Sequence, residues 1–155
     1  MPIRLRTLAT GSDAEAIITR LGALSADDQR RWGTMSPREA LCHLSDAFRT
    51  GLGEVHPSPI RVMGLRGSIP KWIGLRLPVP WPHGVRGPAE VDPRREGTKP
   101  AEFQADRERA LGMTRRFIAE VGNEYPHPMF GAMSRGDWLR WGWLHLDHHL
   151  RQFGR

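Results

Sequence analysis

Apolar residues recur with helical spacing in four stretches of the chain and lose that period in one long stretch between them. The first periodic stretch is SDAEAIITRLGAL, residues 12–24, where Ile17, Ile18, Leu21 and Leu24 form one stripe. Ser12 and Glu15 stand in the S-x-x-E spacing of a capping box, which places the helix start there. The second lies in MSPREALCHLSDAFRTGLGE, residues 35–54, with Leu41, Leu44, Phe48 and Leu52 on its stripe. Ser36 is its expected N-cap, Pro37 its first helical residue and Glu39 the partner that closes the capping box; Gly51 and Gly53 mark its end. The third is PAEFQADRERALGMTRRFIAEVG, residues 100–122, buried through Phe103, Ala110, Leu111, Met113, Phe117, Ile118 and Val121. The fourth starts at Ser134, with Asp137 three residues on. It is apolar around most of its circumference through Trp138, Leu139, Trp141, Trp143, Leu144, Leu146, Leu150 and Phe153. A helix of that kind is expected at the centre of a bundle or at a subunit interface.

Residues 55–99 break the pattern. They hold eight prolines and six glycines, and PVPWPHG cannot form regular helix. A short helix is possible around residues 71–77. Connections longer than about 15 residues are uncommon inside a compact domain and often serve as lids or binding loops. The plain reading is a long coil over one end of the helices. As a lid it would send Trp72, Trp81 and His83 toward a site.

Composition narrows the class. The 155 residues suit one domain, 1–155, with 55–99 as an inserted loop and no internal repeat. The chain is 39% apolar and 26% charged, in the range of a folded soluble protein. No apolar run nears the roughly 20 residues that span a bilayer, and the first residues lack an apolar stretch of signal-peptide length. The expected location is cytoplasmic, with no membrane partner. The net charge of +6 comes almost wholly from arginines scattered along the chain, with Lys71 and Lys99 the only lysines. Scattered charge without a basic block argues against a nucleic-acid partner. Cys42 is a lone thiol, so no internal disulfide holds the fold. Neighbours on a helix point about 100° apart, so Cys42 and His43 do not form a catalytic pair.

The histidines carry the chemistry. His145, His148 and His149 sit within five residues of the fourth helix. His145 and His149, four apart, share one face about 6 Å apart along the axis, the arrangement of H-x-x-x-H metal pairs. His148 points elsewhere, toward a rim, a subunit contact or a supporting hydrogen bond. His43 borders the apolar stripe of the second helix and should face inward. An unpaired buried imidazole is costly there, and a metal would satisfy it. Asp46, three residues on, is the candidate proton carrier or base, with a solvated surface carboxylate as the alternative. Glu39 has its capping role. Asp147 is expected to face solvent or to pair with Arg151, and Gln152 to line the cavity. His127 precedes Pro128 in a turn that aims the fourth helix, with Phe130 packed on the core.

Trp32-Gly33 ahead of a capped helix, His43 within it, HPMFG at 127–131 and MSRGDWLRWGWLHLDHHLRQFG at 133–154 together resemble the DinB-like (YfiT-like) four-helix-bundle superfamily, in a branch of uncharacterised function. This is the family of small helical proteins, not the polymerase of the same name. The resemblance covers residues 12–54 and 100–155, and its specific part is H-x-x-H-H-x-x-Q from His145 to Gln152, with the upstream His43. It implies an all-α, up-down-down-up four-helix bundle holding a divalent ion through His43, His145 and His149. In such proteins the ion is commonly zinc or nickel, iron and manganese being alternatives, with water in its open positions. It further implies a homodimer, which the tryptophans of the fourth helix also suggest. Activities of the superfamily include transferases and isomerases that use a low-molecular-weight thiol such as bacillithiol, mycothiol or glutathione.

Two function classes follow. One is a metal-dependent enzyme, a hydrolase or a thiol-dependent S-transferase acting on a small molecule. The other is a non-catalytic metal-binding or interaction protein in which the ion or the histidines are structural. A catalytic ion keeps an open position, whereas a structural ion is closed by protein ligands. The sequence offers no obvious fourth ligand, which leans toward an open site.

Overall fold

The computed structural model describes residues 3–155. Among them it is all-helical: α1 (Gly11–Gly22), α2 (Pro37–Gly51), α3 (Ser68–Arg76), α4 (Phe103–Glu120) and α5 (Arg135–Gln152), with a 3₁₀ turn at Ala89–Val91 and no β-strand. There are thus five α-helices where periodicity indicates four. None is long and apolar enough to cross a membrane.

Two of the helix starts are closed capping boxes. Ser36 Oγ accepts the Glu39 N–H at 3.2 Å while Glu39 Oε2 accepts the Ser36 N–H at 2.7 Å. At α5, Ser134 Oγ accepts the Asp137 N–H at 3.0 Å and Asp137 returns the bond at 3.1 Å. Each pair satisfies donors that the first turn would leave open. Ser36→Ala is expected to lower unfolding stability by about 1 kcal/mol, read as a shift in the urea midpoint at unchanged slope. The box expected at Ser12 and Glu15 does not form. α1 begins earlier, with Thr10 as its N-cap, so Ser12 already lies inside the first turn. Asp13 holds this start instead, accepting the Thr7 N–H at 3.2 Å and an Arg4 N–H at 2.6 Å.

α2 packs on α4 and α5, and α1 packs on the same two helices from the other side. The seam is aromatic: Phe48 stacks on Phe117 at 4.5 Å, and Trp138 meets Trp141 edge-on at 5.2 Å. Glycines let the helices close. A Cβ at Gly51 would meet Phe117 at 2.7 Å, and one at Gly142 would meet Leu8 at 2.8 Å. The tryptophans that suggested a subunit interface are covered within the chain. Trp138, Trp141 and Trp143 are all buried. The N-terminal segment lies along α5, with the Leu8 N–H on the Leu139 carbonyl at 3.1 Å.

The Pro/Gly-rich segment is ordered by its anchors. α3 forms with Pro70 in its first turn, where a missing N–H is tolerated. Its Leu75 is buried and its Gly74 backs onto Phe130, while Ile69, Trp72 and Ile73 stay exposed. The Ile60 and Gly67 N–H groups reach the Pro128 and Met129 carbonyls at 3.1 and 2.8 Å. The far end of the segment is pinned where Thr98 donates to Asp46 from both its N–H, at 2.7 Å, and its hydroxyl, at 2.9 Å.

Candidate metal centre

α2 and α5 meet with His43 facing His145 and His149. Each of the three offers a ring nitrogen, and these nitrogens lie within 4.8 Å of one another. His43 and His149 are buried and His145 is half-buried. Nε2 of His43 and Nε2 of His145 are 3.0 Å apart. Two ligand nitrogens bound to one ion at about 2 Å would lie roughly this far from each other.

Two of the three rings are held by partners that decide which nitrogen is free. The Val91 carbonyl lies 2.7 Å from His43 Nδ1. A carbonyl only accepts, so Nδ1 carries the hydrogen and Nε2 presents its lone pair to the cluster. Gln152 donates through Nε2 to the Trp32 carbonyl at 3.0 Å, which turns its Oε1 to His149 Nδ1 at 3.2 Å. His149 Nε2 is thereby also left as a lone pair. Outer partners of this kind fix ring orientation and tautomer in metal sites. Gly33 allows the approach of Gln152: its φ is +77°, and a Cβ there would meet Gln152 Nε2 at 2.4 Å.

Burial keeps the rings neutral. It pushes the pKa of His145 and His149 well below the ordinary imidazole value, and neighbouring histidines push the same way. His43 is lowered chiefly by burial, with the Val91 carbonyl and the charges of Asp92 and Asp46 acting against it. Neutral imidazole is the ligand form, so the donor set fits a divalent ion of the zinc, nickel or iron type. No fourth Cys, Asp, Glu or His joins the cluster among the described residues.

Of the other candidate residues, some form a rim around this cluster and others lie apart from it. His148 forms a rim with Trp32 at 4.7 Å, Trp81 at 5.9 Å and His83 at 6.1 Å between ring centroids. His83 stacks on Trp32 at 3.8 Å, almost parallel, and Trp81 meets His145 at 6.2 Å. Trp81 and His83 therefore do reach the site from the long segment, but Trp72 sits on α3 and is 59% exposed. His127 is apart from the cluster; its Nδ1 accepts the Met129 and Phe130 N–H groups, each at 3.1 Å.

Asp46 is buried rather than solvated. Its hydrogen bonds go to Thr98 and Arg49 and, among the described residues, not to His43. Glu39 adds Arg94 to its capping role, at 2.7 and 2.9 Å, and that guanidinium is the main reason its carboxyl is lowered. Asp147 does pair with Arg151, at 2.9 Å, but is buried, because Arg20 of α1 holds it from the other side at 2.7 Å. Cys42 is buried, and burial raises its thiol to about 11, so it stays protonated at neutral pH.

Sequence reasoning missed Val91 and Trp32 as supports, since both act through main-chain carbonyls. A cavity of about 460 Å³ lies on the outer side of the rim, between residues 3–6, residues 77–83 and α5; Trp32, Trp81, His83 and His148 belong to its lining.

A family model described as "Protein of unknown function (DUF1569)" matches residues 82–155. That span takes in α4 and α5 with His145 and His149, and leaves out α2 with His43. No curated protein and no solved structure matches the chain.

Proposed function

We propose that this protein is a DinB-like four-helix-bundle metalloprotein. In this reading α1, α2, α4 and α5 are the bundle, and His43, His145 and His149 hold one divalent ion. The observation that carries the proposal is the pair of oriented imidazoles: Val91 and Gln152 each take the Nδ1 hydrogen of a histidine and leave Nε2 facing the cluster. A core histidine serving only packing needs no such alignment of three ring nitrogens.

We assign it to the enzymes rather than to closed structural sites, as a metal-dependent hydrolase or thiol-dependent transferase acting on a small molecule. Three protein ligands are the complement of catalytic rather than structural zinc. An ion held there supplies Lewis acidity, which makes a coordinated water or thiol acidic near neutral pH. The protein's own contribution is positioning and the exclusion of bulk water. Val91 and Gln152 fix two rings, while Trp141, 4.6 Å from the His145 ring, packs beside the third. Trp81 and the Trp32–His83 stack cover the outer side, so the long segment acts as the lid. Asp46 anchors that lid at Thr98.

Metal content measured by mass spectrometry on tag-free protein, beside the His145→Ala/His149→Ala variant, tests the proposal. About one divalent ion per chain, absent from the variant, is expected. Protein that stays metal-free after refilling with zinc and with nickel would end the metalloprotein reading.

A further inference from the structure

The cavity outside the rim has a chemistry of its own. Four arginines, Arg4, Arg6, Arg140 and Arg151, line it against a single carboxylate, Asp147. Two of them are committed: Arg4 pairs with Asp13 at 2.6 Å, and Arg151 pairs with Asp147 at 2.9 Å. Asp147 is further occupied by Arg20 at 2.7 Å.

Arg6 and Arg140 have no carboxylate partner among the described residues. The Arg6 guanidinium lies over the Trp143 ring, 5.5 Å from its centroid. Arg140 is half-buried and donates only to main-chain carbonyls, Nε to Leu75 at 3.0 Å and Nη1 to Arg6 at 2.6 Å. Burial, chiefly, and the nearby Arg76 disfavour its charge, while the Asp147 carboxylate acts against them. A guanidinium has five N–H donors in a planar fork, and two carbonyls leave donors of Arg140 unspent. Asp147, already held by Arg20 and Arg151, acts on Arg140 only at a distance, so a half-buried cation with no ion pair of its own is stabilised when an anion joins it.

Apart from His83 and His148, the rest of the lining is apolar. Trp32, Trp81 and Trp143 contribute ring surface, and Leu77, Pro78 and Pro80 close the side. The volume of about 460 Å³ falls within the roughly 300–1,000 Å³ of small-molecule sites.

We infer that this cavity is a binding site for a small organic anion, an aromatic or similarly flat carboxylate whose charge meets Arg6 and Arg140 and whose body lies against the tryptophans. The site is separate from the histidine cluster but shares a wall with it. His148 lines the cavity with its ring 5.2 Å from that of His149, and Trp81 faces the cavity and His145 alike. The anion site itself does not depend on the ion.

The test uses 2-naphthoate and its neutral counterpart 2-naphthylmethanol as probes, by isothermal titration calorimetry on protein stripped with chelator and on zinc-refilled protein. Naphthoate is expected to bind both forms and to outcompete the alcohol by at least about tenfold, as a charge-assisted hydrogen bond should. Arg6→Gln and Arg140→Gln should each cut naphthoate affinity by about tenfold and leave that of the alcohol unchanged. Arg6 is exposed and makes no ion pair, so its variant keeps the experiment informative even where Arg140→Gln loosens α3. Equal affinity for the two probes, no binding of naphthoate, or variants that leave its affinity intact would overturn the inference. Binding only to the zinc-refilled form would also overturn it, because the carboxylate would then sit on the ion. Metal content of the same samples separates a failure of this site from a failure of the metal centre.

Discussion

His43→Ala is expected to lose most of its bound metal while keeping its helices. The two remaining histidines lie one turn apart on α5 and would hold an ion from one side only; in the proposed centre His43 is the sole donor from α2. Removing a hydrogen-bond partner behind a ligand already costs about 10–100-fold in metal affinity, so removing a ligand should exceed that. The fold should survive, because the substitution deletes a polar ring at the edge of the core and frees one carbonyl, at a cost of about 1 kcal/mol. Zinc titration with a competing chelator, next to a far-UV circular dichroism spectrum, separates the two effects. A variant that keeps stoichiometric metal would refute the three-ligand centre.

The second large effect is on acid stability, and it centres on His127. Burial drives this imidazole down to about 3, while an unfolded chain takes up the proton near 6.5. Below 6.5 the unfolded state therefore binds more protons, and stability falls as the pH falls until about 3. Above 6.5 both states are neutral, and the contribution is fully present and flat. The slope is about 1.4 kcal/mol per pH unit, so about 2 kcal/mol is lost from this group between pH 6.5 and 5. His148, lowered to about 4 mainly by burial, and the three cluster histidines add in the same sense in metal-free protein. His127→Asn keeps an acceptor for the Met129 and Phe130 N–H groups but cannot titrate. Urea unfolding at pH 7, 6 and 5 should show the variant closing on the wild type by about 2 kcal/mol over the range. Curves that stay parallel would mean that His127 is not neutral and buried in the folded state.

What could be read from the sequence divides along physical lines. α2 and α5 were legible because periodic apolar residues and a local cap state the same thing; Ser36 with Glu39, and Ser134 with Asp137, need no distant partner. α4 was legible from its periodic apolar residues alone. α1 was legible as a helix but not at its start, since Asp13 takes its partners from Arg4 and Thr7, outside the capping pattern. α3 was only partly legible. Its single buried large side chain, Leu75, gives no stripe, and its order comes from contacts with residues near 128–130 and with α5. The histidine pair on α5 follows from spacing alone, and His43 from its place beside a stripe. The burial of Asp46 and Asp147 could not be seen, because it depends on Thr98 and Arg20, far away along the chain.

The hydrogen bond from His43 to Val91 bears on how this protein tolerates change. The acceptor is a main-chain oxygen, so every amino acid at position 91 supplies the same atom, although the Val91 side chain is buried and its size is constrained by packing. What the ring depends on is the path of the backbone through the 3₁₀ turn. A single-residue insertion or deletion between 88 and 98 would shift that carbonyl by about 3 Å or more and leave His43 without its guide. The orientation of His43 is thus encoded in the length of a connecting segment more than in the chemistry of its side chains.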